Sequence, residues 1–287
     1  MATFAMTGSV VAASPASADA SVQPDPVGAP LADYLQRDSQ GVLRTNGSGG
    51  YFVQTPYISN PISKKVGSIY GGEEFEPSSC TATVIESQTG VLAITADHCT
   101  NNLKPGGRPI KFAPAAQGGQ EPSGGWYIDR KFSSTVSVDG SAPDVAVLVI
   151  RPKEGKRITD VTDGGLAIHP GIAAGQTVRG SFIGYPGPAP YNGINMSACV
   201  GDYTYHPGKG RSAISRVDGQ TECWVGGGAS GGPYLAFSDG QAQIITVLNS
   251  NGGSAINTVV PQLIEQADSW ALNEYNLERS TLAGPAS

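Results

Sequence analysis

The sequence predicts an all-β protein of antiparallel sheets, a sandwich or barrel, followed by one C-terminal helix. Three observations predict it. Charged residues make up only 15% of the 287 residues, while Gly (39) and Pro (21) are abundant, as in a folded, loop-rich chain rather than a disordered one. Short runs of β-branched and aromatic residues are punctuated at short spacing by Gly, Pro, Asn and Asp. Strands and helices do not alternate regularly, so a parallel sheet has no support, and no repeat of fixed period is visible.

The elements follow in chain order. Residues 1–20, "MATFAMTGSVVAASPASADA", are small and apolar and end in Ala-Ser-Ala and Ala-Asp-Ala, the ending of a secretory signal peptide without a basic n-region. Residues 21–65 are rich in Pro, Gly, Ser and Asp and lack an apolar period, so they read as a pro-segment or N-terminal extension with little core. From Val66 the texture becomes β-like, with candidate strands "TATVIES", "GVLAITA", "WYIDRKF", "DVAVLVI", "TVRGSFIGY", "AQIITVLNS" and "AINTVV". The helix is "PQLIEQADSWALNEYNL", 261–277. Pro261 suits its first turn, and Leu263, Ile264, Ala267, Trp270, Ala271 and Leu272 form an apolar stripe for packing. Residues 278–287 are a tail.

Composition also excludes. The net charge is −6, from 18 basic and 24 acidic residues, and no basic cluster exceeds the pair Lys64-Lys65, so a nucleic-acid surface is not expected. No apolar run reaches the ~18 residues of a membrane span. Four cysteines, Cys80, Cys99, Cys199 and Cys223, without C-x-x-C pairs point to two disulfides rather than a metal site. Their sequence leaves three connectivities open. Disulfides and the leader together imply a secreted protein.

The chemistry centres on "WVGGGASGGPYL", 224–235, where five glycines and an alanine surround Ser230. "GASGG" fits the G-x-S-x-G elbow of α/β-hydrolases, whose base follows the serine. Here His98, His169 and His206 all precede Ser230, so that reading fails. The reverse order holds: His98 in "AITADHCT", Asp144 leading "DVAVLVI", then Ser230. Taken alone, His98 reads as a buried, hydrogen-bonded histidine and Asp144 as a turn residue. His169 and His206 each precede Pro-Gly and are expected in exposed turns.

Together these three motifs resemble the chymotrypsin-like (trypsin-fold) serine peptidases over roughly 66–262, and within them the secreted bacterial branch of glutamyl-endopeptidase-like enzymes. Thr95-Ala96-Asp97-His98-Cys99 differs from the family's Thr-Ala-Ala-His-Cys at Asp97, and Gly228-Ala229-Ser230-Gly231-Gly232-Pro233 differs from Gly-Asp-Ser-Gly-Gly-Pro at Ala229. The resemblance implies two packed antiparallel β-barrels within 66–277, with the active site between them. It also implies a serine endopeptidase acting through an acyl-enzyme, with His98 as base, Asp144 as its orienting acid and Ser230 as nucleophile. The N–H groups of Gly228 and Ser230 would form the oxyanion hole. The alternative is a catalytically silent trypsin-fold binding protein.

The resemblance further implies the bridges Cys80–Cys99 and Cys199–Cys223. It implies a substrate pocket at Trp224, Ser250, Asn251, Gly252 and Gly253, with Ser250 bracing Asp144 and a neutral side chain preferred. No metal or cofactor is expected; the expected partners of this monomer are peptide or protein substrates, with no nucleic acid and no membrane. "SIYGGEE", 68–74, faintly resembles the family's activation sequence. Ala229 cannot pair with a new N-terminal ammonium there, so no activating cut near Ile69 is expected.

Overall fold

The structure, a computed structural model, describes residues 32–277 except 47–48, 102, 104–106, 138–139, 207–208, 212, 217–222, 224, 239 and 250–251. Its strands, in chain order, are β1 (Tyr51–Phe52), β2 (Val66–Gly71), β3 (Cys80–Val84), β4 (Leu92–Thr95), β5 (Ile110–Pro114), β6 (Trp126–Ser133) and β7 (Ala146–Ile150). They continue as β8 (Ala167–Ile168), β9 (Thr177–Gly184), β10 (Ser197–Tyr205), β11 (Ile214–Arg216), β12 (Pro233–Ser238), β13 (Gln241–Asn249) and β14 (Gly252–Gly253). Two α-helices are described, the short α1 (Ile158–Thr162) and α2 (Val260–Tyr275).

The strands make two antiparallel barrels. The first closes in the order β2-β3-β4-β7-β6-β5, with Ile69 facing Cys80 on one side and Phe112 on the other. The second runs β10-β11-β14-β13-β12-β9 and returns to β10. Closure leaves no long unpaired edge, which is how antiparallel sheets of this size avoid self-association. β1 extends the second sheet beside Ser197 and Ala198, and β8 joins β13 in parallel.

The run "DVAVLVI" reads as continuously apolar because β7 is buried on both faces. Ala146, Leu148 and Ile150 point into the first barrel with Phe112, Trp126 and Ile128. Val145, Val147 and Val149 alternate with them and join Leu263, Ala267 and Ala271 of α2 in the core between the barrels. The predicted stripe of α2 therefore does pack. The helix also buries Asp268, whose carboxylate accepts the N–H groups of Gln88 (3.0 Å) and Thr89 (3.1 Å) and the Thr89 hydroxyl (2.5 Å).

Two expectations are corrected. "AINTVV" is no strand: Val259 and Val260 turn back onto the Ile256 carbonyl, at 3.1 and 2.8 Å, and start α2. Nor does the segment before Val66 lack core. Ala32, Tyr34, Leu35, Val53 and Tyr57 are all at most 3% exposed and belong to the central cluster. Isolated bridges Leu35↔Val53, Arg37↔Leu43 and Thr45↔Tyr51 fold residues 35–53 into an irregular hairpin laid on β10. Sparse apolar residues in a Pro/Gly/Ser background hid this packing from a periodicity reading.

Candidate active site

His98 follows β4 in a single 3-10 turn, Asp97–Thr100. Two ties hold the turn. Cys99 is bridged to Cys80 on β3. The Asp97 carboxylate accepts Lys131 Nζ at 2.8 Å and the Ser133 hydroxyl, both on β6. The residue that departs from the resembled motif thus clamps the His98 turn to the barrel wall.

Asp144 is 2% exposed and leads into β7. Its Oδ1 accepts the His98 backbone N–H at 3.0 Å, and its Oδ2 accepts His98 Nδ1–H at 2.8 Å. With the proton on Nδ1, Nε2 is left as an acceptor. The hydrogen bond to Asp144 raises the His98 pKa above its usual 6.5, burial opposing it. Burial pushes Asp144 upward, but the His98 donors and charge outweigh it and the net direction is down. Asp144 N donates to Ser254 Oγ (2.9 Å), which also accepts Asn249 Nδ2 (2.8 Å).

Ser230 stands on the link between the barrels. Thr81 of β3 donates its N–H to the Ser230 carbonyl (2.7 Å) and its hydroxyl to the Gly228 carbonyl (2.8 Å). Gly231 N–H donates to Leu248 O of β13 (2.8 Å). With these carbonyls turned inward, the N–H groups of Gly228 and Ser230 have no protein acceptor among the described residues. The small neighbours are required: Gly228 (φ +89) and Gly231 (φ +82) lie in the left-handed region. A Cβ at Gly228 would meet Tyr185 O at 2.5 Å, and one at Gly231 would collide with Thr81 O and Thr95 Oγ1.

The structure therefore joins His98 to Asp144 and sets Ser230 beside them, with Cys99 Sγ 3.8 Å from His98 Nε2 and 3.6 Å from Ser230 O. No Ser230 Oγ–His98 Nε2 hydrogen bond is formed among the described residues; such bonds are often long without substrate. Cys80, His98 and Cys99 lie close together, but both sulfurs are spent in the disulfide. Cys199–Cys223 is also bridged.

Of the expected pocket, Gly252 (φ +110) lies in β14 opposite Asn249, and Gly253 faces Leu248 and Ile214. Trp224, Ser250 and Asn251 lie outside the described residues. His169 and His206 are half-buried rather than exposed: His169 Nδ1 accepts Gly171 N–H (3.1 Å), and His206 Nε2 bonds Ser215 Oγ (2.6 Å). The sequence reading missed Thr81, Asn249 and Ser254, which carry no motif of their own.

This two-barrel arrangement is the chymotrypsin-like fold. Solved structures share it. A thermostable serine protease, AL20, from an extremophilic microorganism is 22% identical, with a TM-score of 0.54 over 72% of this chain and 98% of that one. Protease Anisep from Arthrobacter nicotinovorans is 21% identical, with a TM-score of 0.54 over 74% and 98%. A Glu endopeptidase in complex with MPD is 18% identical, with a TM-score of 0.53 over 78% and 99%. No protein-family model and no curated protein matches the chain.

Proposed function

We propose that this chain is a secreted serine endopeptidase that hydrolyses peptide bonds through an acyl-enzyme. The observation that carries the reading is the doubly hydrogen-bonded His98–Asp144 pair beside Ser230, on a glycine turn whose carbonyls are pinned inward. As Ser230 Oγ attacks the scissile carbonyl, its proton passes to His98 Nε2. Asp144 stays ionised and stabilises the imidazolium, and the N–H groups of Gly228 and Ser230 receive the oxyanion. His98 then gives the proton to the leaving amine. Water, deprotonated by His98, attacks the acyl-serine and regenerates the hydroxyl. The serine-protease fold neighbours and two closed disulfides support the peptidase and export parts of the reading.

The test is covalent labelling by a fluorophosphonate probe. The wild-type chain labels at Ser230 and cleaves peptides, and Ser230→Ala does neither. An unlabelled, inert wild-type chain would favour the silent binding protein.

The rate should also titrate with His98. Catalysis needs the neutral ring, and the Asp144 hydrogen bond favours the charged one. kcat/KM should therefore fall as pH drops through a value above 6.5, the ordinary histidine value. An acid limb centred at or below that value would contradict His98 as the base.

No activating cut before Ile69 should be needed. Ser68 and Ile69 sit mid-strand in β2, paired with β3 and β5, and Ile69 is 1% exposed. Ala229 is fully buried and offers an ammonium no counter-charge. Mass spectrometry of the active protein should show the Ser68–Ile69 bond intact, and cutting there through an inserted protease site should abolish activity.

A further inference from the structure

The two N–H groups proposed to receive the oxyanion belong to peptide units whose carbonyls are those of Gly227 and Ala229. A peptide unit is planar and trans, so its N–H and C=O point opposite ways, and fixing the oxygen aims the hydrogen. Both oxygens are held. Gly227 O accepts Gly187 N–H at 2.7 Å, and Ala229 O accepts Gly232 N–H at 3.0 Å. Between them lies the carbonyl of Gly228, which is held by a side chain, the hydroxyl of Thr81 at 2.8 Å. Ala229 is fully buried and has no polar side-chain atom with which to hold the turn itself.

Thr81 is fully buried on β3 of the first barrel, yet three of its hydrogen bonds reach segments attached to the second. Its N–H donates to Ser230 O (2.7 Å), and its hydroxyl donates to Gly228 O; this turn leads into β12. The same hydroxyl oxygen accepts the N–H of Tyr185, just after β9, at 3.0 Å. The two partners lie against each other: a Cβ at Gly228 would sit 2.5 Å from Tyr185 O and 3.1 Å from Gly187 N. One hydroxyl thus ties the turn to the segment behind it, as donor to one and acceptor from the other. Thr81 is held in turn from the His98 side. Its carbonyl accepts Thr95 Oγ1–H (2.7 Å), and its neighbour Cys80 is bridged to Cys99.

Resting on the peptidase reading above, we infer that Thr81 is a positioning residue for the oxyanion site: its hydroxyl holds the Gly228 carbonyl and so keeps the N–H groups of Gly228 and Ser230 aimed at the developing charge before substrate arrives. Donors set in advance cost no reorganisation during the reaction, which is what makes them effective. A valine at 81 fills nearly the same space but turns a methyl group toward Gly228 O and Tyr185 N–H. Both buried groups must then move to find partners, and the turn moves with them.

The test uses the full chain as wild type, Thr81→Val, Thr81→Ala and Thr81→Ser. The probes are a fluorogenic peptide that the wild type cleaves and a fluorophosphonate, whose serine adduct places an oxygen where the oxyanion would lie. Exhaustive labelling counts active sites, so kcat refers to folded enzyme alone. Thr81→Val should lower kcat and the labelling rate together by about 10²-fold, the cost of a misplacement of roughly 1 Å. KM should change little, because the lost interaction is made in the transition state. The acid limb of kcat/KM should stay in place, since both His98–Asp144 hydrogen bonds are untouched. Thr81→Ser keeps the hydroxyl and should recover most of the rate. If the valine variant does not fold, Thr81→Ala, which leaves room for water beside both groups, carries the same comparison. A kcat within about tenfold of wild type in the variant without the hydroxyl, or a serine variant as slow as that one, would overturn the assignment while leaving the peptidase standing. A wild type that neither labels nor cleaves would instead sink the peptidase reading itself.

Discussion

Asp144→Asn should leave a folded protein whose kcat is down about 10⁴-fold, the loss expected when the orienting acid of such a site becomes an amide. Asparagine fits the same space, but only one of its two terminal atoms accepts. Asp144 uses both, Oδ1 for His98 N–H and Oδ2 for Nδ1–H. If the amide oxygen keeps the backbone N–H, its NH₂ faces Nδ1 and moves the ring proton to Nε2. That tautomer cannot take the proton of Ser230. If the oxygen keeps Nδ1–H instead, two donors face each other at the His98 backbone, and the turn carrying the ring must shift. Either way the base is lost or displaced, while Asp144 N–H still reaches Ser254. Thermal unfolding should show a modest change beside the kinetic one. A drop in kcat below about tenfold would show that Asp144 does not set the tautomer. A protein that fails to fold would be resolved by Asp144→Glu, which keeps the charge and misplaces it.

The fold was legible where burial is one-sided or complete over a short run. "GVLAITA", "WYIDRKF" and "DVAVLVI" became β4, β6 and β7 because period-2 sets of apolar side chains fill the first barrel. β10 was missed because Gly201 and Asp202 interrupt its apolar set, although eight of its residues pair with β9. Of the candidate site, His98, Asp144 and Ser230 stood out in the sequence, because the residue types proposed as base, orienting acid and nucleophile are ones that chemistry restricts. Their supports did not. Thr81 pins the Ser230 turn, and Ser254 with Asn249 holds the main chain at Asp144, through contacts made between distant parts of the sequence. A hydroxyl or amide in such a place looks like any other polar residue until the chain is folded. Asp97 teaches the converse: read as a blemish in the motif, it is the residue that ties the histidine turn to Lys131.

A chain that begins after Tyr57 should lose most of its stability or fail to accumulate as folded protein, whereas one that begins at Ala32 should fold. The segment removed buries Tyr34, Leu35, Val53 and Tyr57, each at most 2% exposed. Burial of a large side chain is worth about 1.5–3 kcal/mol, so the four represent roughly 6–12 kcal/mol before other terms. Two kinds of loss add to this. Met196 N–H would lose the Tyr57 hydroxyl it donates to (3.0 Å), and the Gln117 side-chain Oε1 would lose Tyr57 N–H (3.0 Å). Ser197 and Ala198 of β10 would lose their pairing with β1 and become an open edge. One gain opposes them, because the removed residues no longer need ordering. It does not rescue the remainder, since the apolar surface that the segment covered, including Tyr185, Met196 and Ala198, would face water. Domains are stable by only about 5–15 kcal/mol, so a net loss of a few is enough to populate unfolded chain. The measurement is chemical unfolding of both chains, with fluorophosphonate labelling as a check on the cleft. If the shorter chain unfolds at the same denaturant concentration and labels at the same rate, residues 32–57 are a removable pro-segment and the packing against β10 is dispensable. If it unfolds earlier, they are part of the catalytic domain, and any maturation cut that leaves the enzyme stable must fall before Ala32.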